Sequence, residues 1–278
     1  MSEHAGRCGR HIRGGDMDRY HDVVDFINFD SGRRLFIEPD FRHGPVRDRL
    51  FELLDTYKPG VVVKAGLGSG KLVRDIVERN QKLTVVVEPS AFMIDEFMKN
   101  NPALAASDRL RIIRADFHEF PVDYYAANLL VCVDYMDLFD VSRALDEFKI
   151  SIQFEGMLFY AGVVLEARDI DGVYDDFTRA MLSLHNDYYL EGDLKTFLDL
   201  KGFSCIKGET VAFDRDLGEL MGAAREYGDE NGGEAAAFLD ARRLDFEQMY
   251  GLNADVIIRE PYFIGTFMKR KPDLSETI

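Results

Sequence analysis

Three valines run straight into glycines at Val61-Val-Val-Lys-Ala-Gly-Leu-Gly-Ser-Gly70, and no other stretch constrains the fold as strongly. An unbroken β-branched run reads as a strand covered on both faces, the environment of a parallel sheet. Gly66, Gly68 and Gly70 then let the backbone come close to a ligand, because glycine has no Cβ to block the approach. A second apolar run, Leu83-Thr-Val-Val-Val87, ends on Glu88. An acid at the end of the next strand can hydrogen-bond a ribose diol, and nucleotide folds place it ~20 residues after the first glycine. The combination predicts a nucleoside-type ligand at the carboxyl edge of the sheet. The bland alternative is a tight strand-to-helix turn with no ligand.

Two familiar glycine loops are excluded. A P-loop needs a glycine five positions before the Gly-Lys pair and Ser or Thr after the Lys. Here those positions hold Ala65 and Leu72. The dinucleotide fingerprint G-x-G-x-x-G needs a third glycine where this chain has Lys71, which counts against a NAD enzyme.

What remains, G-x-G-x-G, resembles motif I of the class I S-adenosylmethionine (SAM)-dependent methyltransferases. Further pieces follow in the family's order. Glu88, before Pro89, stands where the family's ribose-binding acid would be. Asp116 and Phe117, in Arg111-Ile-Ile-Arg-Ala-Asp-Phe117, stand where an acid faces the adenine and its neighbour packs on the ring. Asn128-Leu-Leu-Val-Cys-Val133 resembles the fourth strand, and Asp134-Tyr-Met-Asp137 the motif IV loop. Gly156–Val164, Leu194–Phe203 and Pro261–Lys269 are similar to strand five, the helix into strand six, and the last strand. The resemblance implies SAM or S-adenosylhomocysteine held by Lys64, Ala65, Gly66, Leu67, Gly68, Gly70, Glu88, Pro89, Asp116, Phe117 and Asp134. One position departs from it. Two residues before the first glycine the family carries an acid that helps hold the SAM ammonium, and this chain has Lys64. Like charges at close range disfavour one another. Either Lys64 turns away to pair with another acid, or the pocket has changed its ligand.

The remaining sequence sets the frame. Strand-like runs alternate with helix-like segments at 70–80, 91–100, 141–153 and 173–188, which predicts an α/β fold with a doubly wound, mostly parallel, seven-stranded sheet. We divide the chain into a mobile tail (1–15), a helical lead-in (16–57), a core (58–213 and 257–270) and an acidic helical insertion before the last strand (214–256). The insertion reads as a pocket cover, a homodimer contact or a solvated excursion with little core of its own. Net charge is −16 over 278 residues, which argues against a nucleic-acid partner, since that affinity rests on Lys and Arg meeting phosphates. No apolar run reaches the ~20 residues of a membrane helix. With no secretory leader and only three scattered cysteines, a cytoplasmic location is expected. Cys132 and Cys205 read as buried thiols.

Candidate chemistry centres on the motif IV loop. Tyr135 and Asp137 could face a substrate as hydrogen-bond partners or a base, against the alternative of ordinary loop polarity. His118 and His185 are weaker candidates of the same kind. His4, Cys8 and His11 have metal-like spacing but lack a fourth ligand, so no metal site is expected. Arg33 and Arg34 could meet a ligand carboxylate or form a solvated face. The implied function is methyl transfer from SAM to a small-molecule acceptor. The alternative is a catalytically inactive methyltransferase-like protein that holds SAM, S-adenosylhomocysteine or another nucleoside.

Overall fold

The structure, a computed structural model, describes residues 14–80, 82–227 and 231–271. Three helices lead in: α1 (Gly14–Asn28), α2 (Asp30–Phe36) and α3 (Asp40–Tyr57). Gly14 and Gly15, assigned to the tail by the sequence, begin α1. Residues 1–13, with the His4, Cys8 and His11 spacing, lie outside the described residues.

The core then alternates. β1 (Val61–Ala65), α4 (Lys71–Arg79), β2 (Leu83–Glu88), α5 (Ala91–Asn100), α6 (Pro102–Ala105) and β3 (Leu110–Arg114) come first. A 3-10 turn (Phe117–Glu119), β4 (Ala127–Val133), α7 (Val141–Ser151), β5 (Ile152–Val163), α8 (Val173–Met181), α9 (Glu191–Leu200) and β6 (Phe203–Asp216) follow. After β6 come α10 (Leu217–Tyr227), α11 (Asn231–Ala241), α12 (Arg243–Tyr250) and β7 (Ile257–Lys269). One seven-stranded sheet runs β3-β2-β1-β4-β5-β7-β6. Its first five strands pair in parallel, and β7 lies antiparallel between β5 and β6. The valine runs sit at its centre, β1 between β2 and β4, and are almost wholly buried.

Alternation along β1 divides its side chains between two cores. Val63 and Ala65 join the cluster with Val73 and Phe97. Val62 joins the cluster with Val46 and Leu50 of α3. Lys64 falls by the same alternation on the α3 side. A cation in a central strand must find a buried acid, because an unpaired buried charge is prohibitively costly.

The 214–256 stretch is not an excursion without a core, which corrects the sequence expectation. Leu217, Leu220, Leu239, Phe246 and Tyr250 are buried in the α3-side cluster together with Phe177 of α8. The acids occupy the outer faces of these helices and obscure the apolar spacing beneath them. Cys205 is a second correction. Cys132 is buried, and burial pushes its thiol up to about 12, but Cys205 is exposed on the edge strand β6. Among the described residues no helix is long and apolar enough to cross a membrane.

Candidate functional site

The glycine loop turns as its sequence demands, and the space above it is filled. Gly66 and Gly68 have φ of 78° and 56°, a region that side chains rarely adopt. A Cβ placed on Gly66 would stand 2.7 Å from the Tyr135 Oη and closer still to the ring carbons. A Cβ on Gly68 would stand 2.6 Å from Glu38 Oε1 and closer to its carboxyl carbon. Glycine here makes room for the chain's own Tyr135 and Glu38.

Lys64 explains one of these occupants. Its side chain is 0% exposed; the ammonium pairs with the Glu38 carboxylate and donates to the Gly66 carbonyl at 2.7 Å. Burial raises the Glu38 carboxyl, and Lys64 opposes that rise. Glu38 lies between α2 and α3 with φ of 50°, and its backbone N–H donates to Asp134 Oδ2 at 3.0 Å. Arg42, one turn into α3, donates to Asp134 Oδ1 at 2.9 Å and also pairs with Glu260. Tyr174 Oη donates to the other Glu260 oxygen at 2.6 Å. Burial works against charge on Glu260, but Arg42 and Arg215 outweigh it and hold that carboxyl below its usual range. Burial raises Asp134 to about 7 against the pull of Arg42. The lead-in is thereby tied to the ends of β1, β4 and β7 through buried charged groups.

Glu88 and Tyr135 fill the rest. Glu88 is fully buried and accepts from Leu67 N–H at 2.7 Å and Ser90 N–H at 2.8 Å. Burial raises it to about 7 despite these donors. Asp134, with φ of 55°, turns the chain at the end of β4 and sends Tyr135 over the loop. The Tyr135 Oη accepts the Gly68 N–H at 3.1 Å and donates to Glu88 Oε2 at 3.5 Å. Its ring meets Phe117 edge-on, with centroids 5.5 Å apart.

The other predicted residues occupy less committed places. Ala65 and Leu67 are buried, and Gly70 precedes the first turn of α4. The Pro89 carbonyl accepts from Tyr20 Oη at 3.4 Å. Asp116 accepts the His118 N–H at 2.9 Å and caps the 3-10 turn. Asp137 lies within 3.3 Å of His185 Nδ1, whose Nε2 meets Asp175 at 2.7 Å. Burial works against charge on His185, but the two acids prevail and raise its pKa. Two cavities lined by both Asp134 and Asp137 measure 10 and 20 Å³. Each has room for about one water molecule. A larger cavity, 650 Å³, is lined by the loop residues Leu67, Gly68, Ser69 and Gly70 and by Glu38, with Arg33, Arg34, Lys71 and Arg74 around it. Asp30 pairs with Arg33 and Arg34, and Asp40 with Lys71, so this is no open cationic patch. Among the described residues no group of three or more His, Cys, Asp or Glu could hold a metal.

Sequence reasoning missed Glu38, Arg42, Tyr174, Asp175 and Glu260. Lys64 inside an apolar strand signalled that an acid partner must exist, but nothing local identified Glu38, 26 positions earlier in the chain.

Strand order decides the comparison: five parallel strands with an antiparallel seventh inserted before the sixth. This is the class I methyltransferase fold. A putative methyltransferase from Bacillus halodurans superposes with a TM-score of 0.72 at 12% identity, covering 82% of this chain and 100% of that one. A SAM-dependent methyltransferase from Geobacter sulfurreducens, in complex with S-adenosyl-L-homocysteine, gives 0.54 at 15%, covering 82% and 91%. The [4+2]-cyclase SpnF gives 0.55 at 17%, covering 80% of each chain. At such identities the likeness establishes the fold alone, and the cyclase illustrates that one fold hosts different chemistries. No protein-family model and no curated protein matches the chain.

The fit to SAM divides within the fold. The glycine loop, Glu88, and Asp116 with Phe117 lie at or just after the carboxyl ends of β1, β2 and β3. Lys64 presents the wrong charge, and Glu38 and Tyr135 take up the volume above Gly66 and Gly68. Beside them, the 650 Å³ cavity keeps Leu67, Gly68 and Gly70 of the loop in its lining.

Proposed function

We propose that this chain is a methyltransferase-fold protein in which Tyr135 and Glu38 close the space over Gly66 and Gly68, and that in this closed form it transfers no methyl group. The observation that carries the reading is the joint placement of Tyr135 over Gly66 and Glu38 over Gly68. Opening would expose an aromatic side chain, at about 1.5–3 kcal/mol, and break a buried ion pair, at about 3–5 kcal/mol. With ~1.4 kcal/mol per tenfold, the sum of roughly 4.5–8 kcal/mol weakens any ligand by at least ~1,000-fold. The water-sized cavities at Asp137 support the same reading on the acceptor side.

Calorimetric titration of the whole protein with SAM and S-adenosylhomocysteine tests it. The expected result is no measurable heat at micromolar ligand. A micromolar dissociation constant would overturn it.

A second reading has its own support. Methyl transfer from SAM to a small-molecule acceptor, after the lead-in has swung away, is favoured by the left-handed glycines and by Glu88 at the end of β2. Under that reading Glu88 and the loop amides would hold the nucleoside, and Tyr135 and Asp137 would face the acceptor. Methyl transfer to any acceptor in a panel of small amines, phenols and thiols would favour it.

A further inference from the structure

We infer that Glu38 stands in for the anionic end of a ligand, so that the emptied cleft selects a nucleoside bearing a carboxylate or phosphate and no ammonium group. This rests on the closed-cleft reading and adds what the closure imitates. Two observations on this pair point the same way. Lys64 is a fully buried cation aimed from β1 at the glycine loop, and its ammonium touches the Gly66 carbonyl and the Glu38 carboxylate. A buried cation needs an opposite charge within reach, and here the Glu38 carboxylate supplies it. The Glu38 carboxylate is delivered from outside the sheet, at a corner between two helices, over the glycine that leaves it room.

The corner is also strained. Glu38 and Asp134 both adopt left-handed backbone conformations and are hydrogen-bonded to each other. Strained non-glycine residues persist where the surrounding structure over-determines them, and they cluster at ligand clamps and switches. Tyr135 imitates another part of the same ligand. Its hydroxyl sits between the Gly68 N–H and Glu88, accepting from one and donating to the other as a sugar hydroxyl can.

The test empties both positions and leaves Lys64 in place. Glu38→Ala/Tyr135→Ala is titrated with AMP, adenosine and SAM, beside wild type. The expected result is AMP binding at least 10-fold tighter than adenosine and tighter than SAM in the double variant, with wild type silent to all three. Equal affinities for AMP and adenosine would overturn the role of Lys64. SAM binding tightest would overturn the inference in favour of the family's usual ligand. Micromolar SAM binding by wild type would instead overturn the closed-cleft reading. If the double variant does not fold, Glu38→Ala alone keeps the question open to measurement. Acetate at 0.1–0.5 M (roughly, the usual range of chemical rescue by mass action) should raise its melting temperature relative to equal chloride, and should leave wild type unchanged. No acetate-specific rescue would sink the inference.

Discussion

Lys64 and Glu38 form a buried ion pair that joins the centre of the sheet to the corner between α2 and α3. The pair answers the question raised by a lysine inside a valine strand. It also decides where the lead-in sits, because breaking it would leave a charge with no water within reach. Removing one partner of such a pair costs about 3–5 kcal/mol, whereas replacing both by apolar groups of similar size is often neutral.

Restoring the family's acid at this position should therefore harm the protein. Lys64→Asp sets two carboxylates against each other beneath the loop. The expected loss is about 3–5 kcal/mol of unfolding free energy in urea, with no gain in SAM affinity. Lys64→Met combined with Glu38→Leu should recover most of that loss. Tight SAM binding by the Lys64→Asp variant would refute the closed cleft.

Two glycines make a matched comparison. Gly66→Ala meets the Tyr135 ring and an unfavourable φ, and should lose about 2–5 kcal/mol from left-handed strain and overpacking. Gly44 lies within α3 with nothing inside 4 Å of its missing Cβ. Gly44→Ala should stabilise by about 0.5–1 kcal/mol. In a double-mutant cycle, Tyr135→Ala should relieve part of the Gly66→Ala penalty. Additivity of the two would show that the ring does not occupy the cradle.

Glu88 gives a pH dependence of definite sign. Its folded pKa of about 7 lies above the ordinary 4.5, so the folded state holds the proton more tightly. The folded state therefore gains from this group below pH 4.5, and that gain disappears as pH rises through about 7. The full difference is about 3 kcal/mol, since one pKa unit is worth 1.36 kcal/mol. Chemical denaturation at pH 5 and pH 8 should show a smaller fall in stability for Glu88→Gln than for wild type. Identical pH profiles would mean that Glu88 titrates as an exposed acid does.

Residues 217–250 should prove indispensable. Phe246 is 0% exposed and packs edge-on against Phe177 of α8, with centroids 5.5 Å apart. Phe246→Ala should cost about 3–5 kcal/mol. Replacing 217–250 by a short Gly/Ser linker should yield insoluble protein, because the α3-side core would lose a wall. A soluble, cooperatively melting product would return the segment to the status of a surface excursion.

By itself the sequence determined the sheet. Continuous Val and Leu runs can be stable only where both faces are covered, and their alternation with helical segments leaves few topologies besides a doubly wound parallel sheet. The order of the glycine loop, Glu88, Asp116 and Asp134 also brought those residues to one edge, because successive parallel strands deliver their carboxyl ends to the same side. Tertiary structure alone decided what stands in the cleft. Glu38 reaches Lys64 from 26 positions away, and Arg42 bridges Asp134 and Glu260 across the sheet edge. Such partners are chosen by where helices dock, and no local periodicity records that. The left-handed turn at Asp134, which aims Tyr135 at Gly66, is equally silent in the residue string. The acidic helices of 217–250 hide their role for a related reason: composition counts the charges that face water, while stability depends on the few apolar side chains beneath them.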